Sequence, residues 1–247
     1  MFDSFFNSIF LPLLNSIGVF WFVFVISLFV SLITVVVYKY TTNQNLMKQL
    51  KGEIKELQEK MKKSRDDMKK TMQYNSQMME KNMAMMKHSM GSTLYTIIPI
   101  IILFGWLTAH LAYIPLTEDV QFTITITFDD YKGTAMLSVP KGLTIVDEAT
   151  KNITSSVDWR LSGKPGEYLV SLKVGDKTYD KDITISNDHQ FAPAVKNVND
   201  GIVKSIQINY KKQIVMNLFG WRLGWLGTYI LLALVFSIVL RKILNVH

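Results

Sequence analysis

Residues 78–107 read MMEKNMAMMKHSMGSTLYTIIPIIILFGWL, and the change of character inside this stretch decides the class of the chain. Its first half is polar and crowded with methionine at steps of three and four. Its second half opens the run Leu94–Ile114, which is long, apolar and almost uncharged. About 20 such residues are enough to cross a hydrocarbon core ~30 Å thick. Val19–Val37 and Leu223–Leu240 are two further runs of the same kind. The chain of 247 residues is 49% hydrophobic and only 19% charged, with a mean hydropathy of +0.17. A soluble domain carries about 25% charged residues, so disorder and a simple soluble enzyme are excluded. There is no cysteine, which excludes disulfides, thiolate metal sites and a cysteine nucleophile. The sequence predicts an α-helical membrane protein with three spans.

Charge orients the spans. Residues 39–90 hold 12 Lys/Arg against 6 Asp/Glu, whereas residues 116–217 hold 12 against 13. Arg241 and Lys242 add a second basic cluster at the C-terminus. An excess of Lys/Arg beside span ends marks the cytosolic face. The expected topology in the cell membrane is therefore multi-pass, with the N-terminus outside and the C-terminus cytoplasmic. Trp21, Trp221 and Trp225 then fall at the outer ends of their spans, where aromatic belts form. The first span is no cleaved signal peptide, because it lacks a preceding basic residue and a small-residue cleavage site.

Between the spans the chain changes style three times. Residues 1–17 place Phe2, Phe5, Phe6, Ile9, Phe10, Leu13, Leu14 and Ile17 at helical spacing, predicting an amphipathic helix on the outer surface. After a first span over 18–40, residues 41–90 predict a coiled-coil hairpin. Leu50, Ile54, Leu57, Met61, Ser64 and Met68 follow a heptad, and Met79, Met83, Met86 and Met90 resume it. The turn is expected at Ser64–Asp67, with those two residues as a capping box. The second span covers 91–115. Residues 116–212 show period-two alternation, as in Val120/Phe122/Ile124/Ile126/Phe128 and Tyr168/Val170/Leu172/Val174. Six or seven short strands around Trp159 predict an inserted extracytoplasmic β-sandwich, immunoglobulin-like. Residues 213–247 hold the third span and a short tail.

Nothing in the motifs suggests an enzyme, a cofactor or a metal. His88, His110, His189 and His247 are scattered without ligand spacing, and no phosphate loop or nucleophile elbow occurs. The informative polarity lies inside the spans. Ser27, Ser31, Thr34 and Tyr38 share one face of the first, with Lys39 following. Ser89, Thr93 and Thr96 open the second, and Ser237 and Arg241 lie near the end of the third. Most of these positions belong to the inner leaflet. Polar groups inside a bilayer face protein or water, so they outline a hydrophilic groove open to the cytosol. Ser and Thr that merely bond their own helices would give the same spacing. Nine of the 13 methionines lie between 61 and 90. Met78, Met79, Met83, Met85, Met86 and Met90 form a soft, polarizable surface suited to varied apolar segments.

Met79-Glu80-Lys81-Asn82-Met83-Ala84-Met85-Met86 leading into Ile97–Leu107 resembles the second-span region of three-span archaeal YidC-like proteins. Gly224–Ile230 and Phe236–Lys242 are similar to their third span. The resemblance covers 1–115 and 217–247 and is to the Oxa/YidC/Alb insertase superfamily, which includes the third subunit of the ER membrane protein complex. It implies a membrane protein insertase or chaperone. The clients would be nascent membrane proteins, met on a mobile hairpin and passed through an inner-leaflet groove, with the ribosome and the Sec translocon as partners. Two departures stand out. The loop between spans two and three is expanded, and the first span lacks a mid-membrane Arg, leaving Lys39 or Arg241 to supply the charge. The basic hairpin is also attracted to anionic lipid and to ribosomal RNA. The rival reading is a membrane-anchored extracytoplasmic binding protein whose β-sandwich holds a ligand; the inner-leaflet stripe then has no purpose. A small channel would need polarity along its whole path, which the outer halves lack.

Overall fold

The computed structural model describes residues 2–246, except for the side chains of Phe2, Asp3 and Ser92. Phe2 of the amphipathic pattern and His247 among the histidines therefore fall outside what is described. The chain forms two compact units. One comprises Phe20–Gly105 with Leu226–His247, the other Met1–Val19 with Trp106–Trp225. Among the described residues four helices are formed: α1 Phe2–Thr41, α2 Gln44–Lys63, α3 Met68–Leu111 and α4 Trp225–Ile243. Three stretches of helix among them, Ser4–Thr41, Thr93–Leu111 and Trp225–Ile243, are long and apolar enough to cross a membrane. Gly18 interrupts α1 with φ 77° and ψ 165°, a conformation essentially confined to glycine. A Cβ there would meet open space, so the constraint is conformational and not steric.

In the helical unit, α2 and α3 make the expected hairpin. Asn43 caps α2 by accepting the Leu46 N–H at 3.1 Å. The capping box forms differently from the expectation. Asp67 alone caps α3, accepting the Lys70 N–H at 3.1 Å with the Lys70 ammonium at 3.0 Å. Ser64 instead ends α2, donating its N–H to the Lys60 carbonyl at 3.1 Å, because α3 starts too late for Ser64 to reach its amides. The seam is also corrected. On α2, Met47, Leu50 and Leu57 are buried, as the heptad requires. On α3 the half-buried line is Thr71, Tyr74, Met78, Lys81, Met85 and Ser89, while Met68, Met72, Met79, Met83, Met86 and Met90 are exposed. Both lines have heptad spacing. The true seam is disguised by Lys81, whose stem packs while its ammonium reaches Glu53 of α2 at 2.8 Å. That contact, with a hydrogen bond from Gln49, holds the Glu53 carboxyl below its ordinary range.

The second unit is built from β-strands. They are β1 Phe122–Phe128, β2 Thr134–Ser138, β3 Leu143–Ile145, β4 Thr150–Asn152, β5 Ser156–Gly163, β6 Gly166–Val174, β7 Lys177–Ile185, β8 Val195–Asn197, β9 Val203–Ile208, β10 Met216–Leu218 and β11 Trp221–Leu223. Two antiparallel sheets, β3-β5-β1-β9-β8 and β4-β2-β6-β7, share one hydrophobic core. Alternation explains it: Phe122, Ile124, Ile126 and Phe128 point inward from β1, and Val170, Leu172 and Val174 from β6. Trp159 is fully buried and donates its indole N–H to the Ala149 carbonyl at 3.2 Å. Asp200 fastens a loop to β7 by accepting from Tyr179 Oη at 2.7 Å, Lys177 Nζ at 2.9 Å and the Val203 N–H at 3.0 Å. Burial, and then this carboxylate, push the Tyr179 hydroxyl up to about 12. Trp221 lies on β11, in a separate two-stranded hairpin with β10, and not at a helix end; α4 begins only at Trp225.

The N-terminal part of α1 belongs to this second unit. Asn7 Oδ1 accepts the Trp106 indole N–H at 2.7 Å, Phe10 packs edge-on to that ring at 5.0 Å, and Asn15 donates to Asp188 at 3.1 Å. Leu14 is buried, whereas Phe5 and Ile9 are exposed. The apolar stripe is thus divided, and Asn7 and Asn15 act as fasteners.

Candidate functional site

The polar stripes of the helical unit meet at one place. Thr34 and Tyr38 of α1, Lys51 of α2, Met85, Ser89, Thr93 and Thr96 of α3, and Arg241 of α4 line a cavity of about 440 Å³. All four helices contribute. Six of the ten groove residues expected from sequence are brought together here: Thr34, Tyr38, Ser89, Thr93, Thr96 and Arg241. Ser27 and Ser31 lie on the same face of α1 but are buried in helix packing, Ser27 donating to the Val23 carbonyl at 2.6 Å. Lys39 and Ser237 are half-buried and do not line the cavity.

The hydroxyl protons are used locally. Thr34 donates to the Val30 carbonyl at 2.8 Å, Ser89 to Met85 at 2.7 Å, Thr93 to Ser89 at 3.3 Å and Thr96 to Thr93 at 3.1 Å. This back-bonding lets a hydroxyl exist in a membrane helix. The oxygens of Thr34 and Thr93 keep acceptor capacity for water. The charge on the wall is positive. Arg241 lies over the Tyr38 ring, 4.8 Å from its centre, a cation–π contact. Lys51 is the second cation, and no Asp or Glu is among the lining residues. Sequence reasoning missed Lys51 because nothing distinguishes it among the 12 basic residues of 39–90. Met85 was read as hairpin surface, yet it sits on both the seam and the cavity wall.

The six methionines singled out from sequence divide by face. Met78 and Met85 are half-buried in the hairpin, whereas Met79, Met83, Met86 and Met90 keep 63%, 60%, 53% and 55% of their surface exposed. These four make a soft stripe on α3, away from the seam, and Met68 and Met72 lie on the same line beyond the polar Asn75 and Ser76. Among the described residues no group of three or more His, Asp or Glu is placed to hold a metal ion.

Residues 7–141 match a family model described as "Integral membrane protein EMC3/TMCO1-like". The match takes in most of α1 and all of α2, α3, β1 and β2. It therefore extends past residue 115, where the resemblance read from the sequence stops, and does not include α4. No curated protein and no solved structure matches the chain.

Proposed function

The chain belongs to the EMC3/TMCO1-like integral membrane protein family, a relative of the Oxa1/YidC superfamily, and from that premise we propose that it is a membrane protein insertase. The observation that carries the reading is a cavity lined by polar and cationic side chains from all four helices. A nascent apolar segment docks on the exposed methionine stripe of α3. Its short polar flank then enters the cavity, which shortens the path that polar groups travel through hydrocarbon. Lys51 and Arg241 favour acidic flanks.

The charge split supports a cytoplasmic hairpin and C-terminus, with the β-rich region outside. The hairpin, the first element a client meets, is basic and suited to the ribosome and to anionic lipid, with the Sec translocon as neighbour. The β-rich region is taken as an immunoglobulin-like sandwich, on the strength of its two facing sheets and buried Trp159. The test is site-specific photocrosslinking from Thr34 and Met83 during translation of a model membrane protein. Crosslinks from both positions to the nascent chain are expected. Normal folding with crosslinks from neither overturns the proposal and favours an anchored binding protein.

A further inference from the structure

The β10–β11 hairpin is an anomaly on physical grounds. It has three residues per strand and pairs with neither large sheet. Such an isolated two-stranded hairpin is marginal in water. Its turn is Phe219-Gly220, with φ 50° and 94°. Two positive φ values define the turn type that favours Asn-Gly, and a bulky residue there is a steric outlier. Phe219 nevertheless occupies the strained position and is 99% exposed, and Trp221 beside it is 74% exposed. The tip is held in shape by Asn217 Oδ1, which accepts the Gly220 N–H at 3.1 Å.

The register makes the hairpin two-faced. Met216 pairs with Leu223 and Leu218 with Trp221, which puts four apolar residues on one face. Asn217 and Arg222 pair on the other, both exposed. Lys211 and Lys212, just before β10, are exposed too. Apolar aromatics at a tip, with cations on the reverse face and at the base, match the border between acyl chains and headgroups. Continuity names the occupant. The membrane helix α4 starts at Trp225, six residues after Phe219, so the chain keeps the tip within about 20 Å of the helix start.

We propose that the β10–β11 hairpin is a lipid-interface anchor: Phe219 and Trp221 enter the leaflet that α4 crosses first, and Arg222 stays among its headgroups. The inference rests on the chain being an integral membrane protein and not on the insertase reading. Lipid contact accounts for a strained, fully exposed Phe and for a hairpin without a sheet.

The chain has no cysteine, so single-cysteine variants can be labelled cleanly. Full-length Phe219→Cys and, separately, Trp221→Cys are labelled with a polarity-sensitive fluorophore and reconstituted into vesicles of phosphatidylcholine and phosphatidylglycerol. Asp176→Cys, in the β6–β7 turn, is the water-exposed reference. The expected result is a blue-shifted emission at 219 and 221, lost to a quencher attached high on the lipid acyl chain and resistant to iodide. Iodide quenching at 219 equal to that at 176 overturns the proposal. Protection from both quenchers also overturns it, since a protein partner or a second copy would then cover the tip. If one variant misfolds, the other decides by the same criteria.

Discussion

Replacing Met79, Met83, Met86 and Met90 together by Gln separates a docking stripe from ordinary helix surface. Gln resembles Met in length and in helix propensity, so α3 should persist. Burying a whole Met side chain gains about 1.5–3 kcal/mol. Because 53–63% of each of the four is exposed, a docked segment gains about 1–1.5 kcal/mol per residue. Fixing each side chain costs about 0.5–1.5 kcal/mol. A net of about 0.5 kcal/mol each gives about 2 kcal/mol for four, or a roughly 30-fold loss of affinity. The assay is binding of a fluorescent apolar peptide by the full chain in lipid nanodiscs, with crosslinking from position 34 in parallel. The matched control, Met78→Gln with Met85→Gln, alters the hairpin seam and should lower thermal stability. Unchanged peptide binding by the quadruple variant, with helix content intact, would refute the docking role of the stripe.

Three further outcomes are expected. In whole cells, a membrane-impermeant thiol reagent should label a cysteine placed at Asp176 and spare one at Asp66; the reverse pattern removes the orientation. Thr34→Val with Thr93→Val removes two cavity hydroxyls at nearly constant shape, and should slow insertion of a client with a short charged flank more than of one with an uncharged flank. Val19→Leu with Phe20→Leu should slow neither, and equal rates for both clients in the Val variant would make the hydroxyls mere helix chemistry. Asp200 is held below the ordinary carboxylate range by the Tyr179 hydroxyl, the Val203 N–H and Lys177. Its stabilising effect is therefore complete above the unfolded value of about 3.9 and is lost as pH falls below it. Asp200→Asn should destabilise the β-rich region at neutral pH and flatten its acid unfolding curve, read by near-ultraviolet circular dichroism.

Elements governed by one strong period were legible in the sequence. The three apolar runs, the alternation of β1 and β6 and the hairpin turn at 64–67 all follow from local chemistry. The register of α3 was not, because methionine occupies two heptad lines and periodicity cannot say which one meets α2. The deciding residue is Lys81, and its pairing with Glu53 is a tertiary fact. For the same reason Lys51 could not be singled out, while Ser27 and Ser31 shared the stripe of Thr34 and Tyr38 but ended in helix packing. The β10–β11 hairpin was hidden by the apolarity of 214–223, which reads as the approach to a span until Phe219-Gly220 is recognised as a turn.

The back-bonded hydroxyls might be taken to reduce the cavity to helix glue, and the charges argue otherwise. A threonine that donates to its own helix carbonyl is tolerated in lipid and demands no water. A guanidinium or an ammonium does demand it, or an opposite charge. Arg241 rests on the Tyr38 ring and Lys51 comes from another helix, with no carboxylate among the residues lining their shared space. Repulsion between like charges grows severalfold as the effective dielectric constant falls from that of water to about 20. Two like cations facing one small space are therefore tolerable only while it is wet. A carboxylate entering it gains from both. Under the proposed insertase function, such a cavity would be wet when empty and would attract the acidic flank of a client, with no residue needed in the middle of the first span.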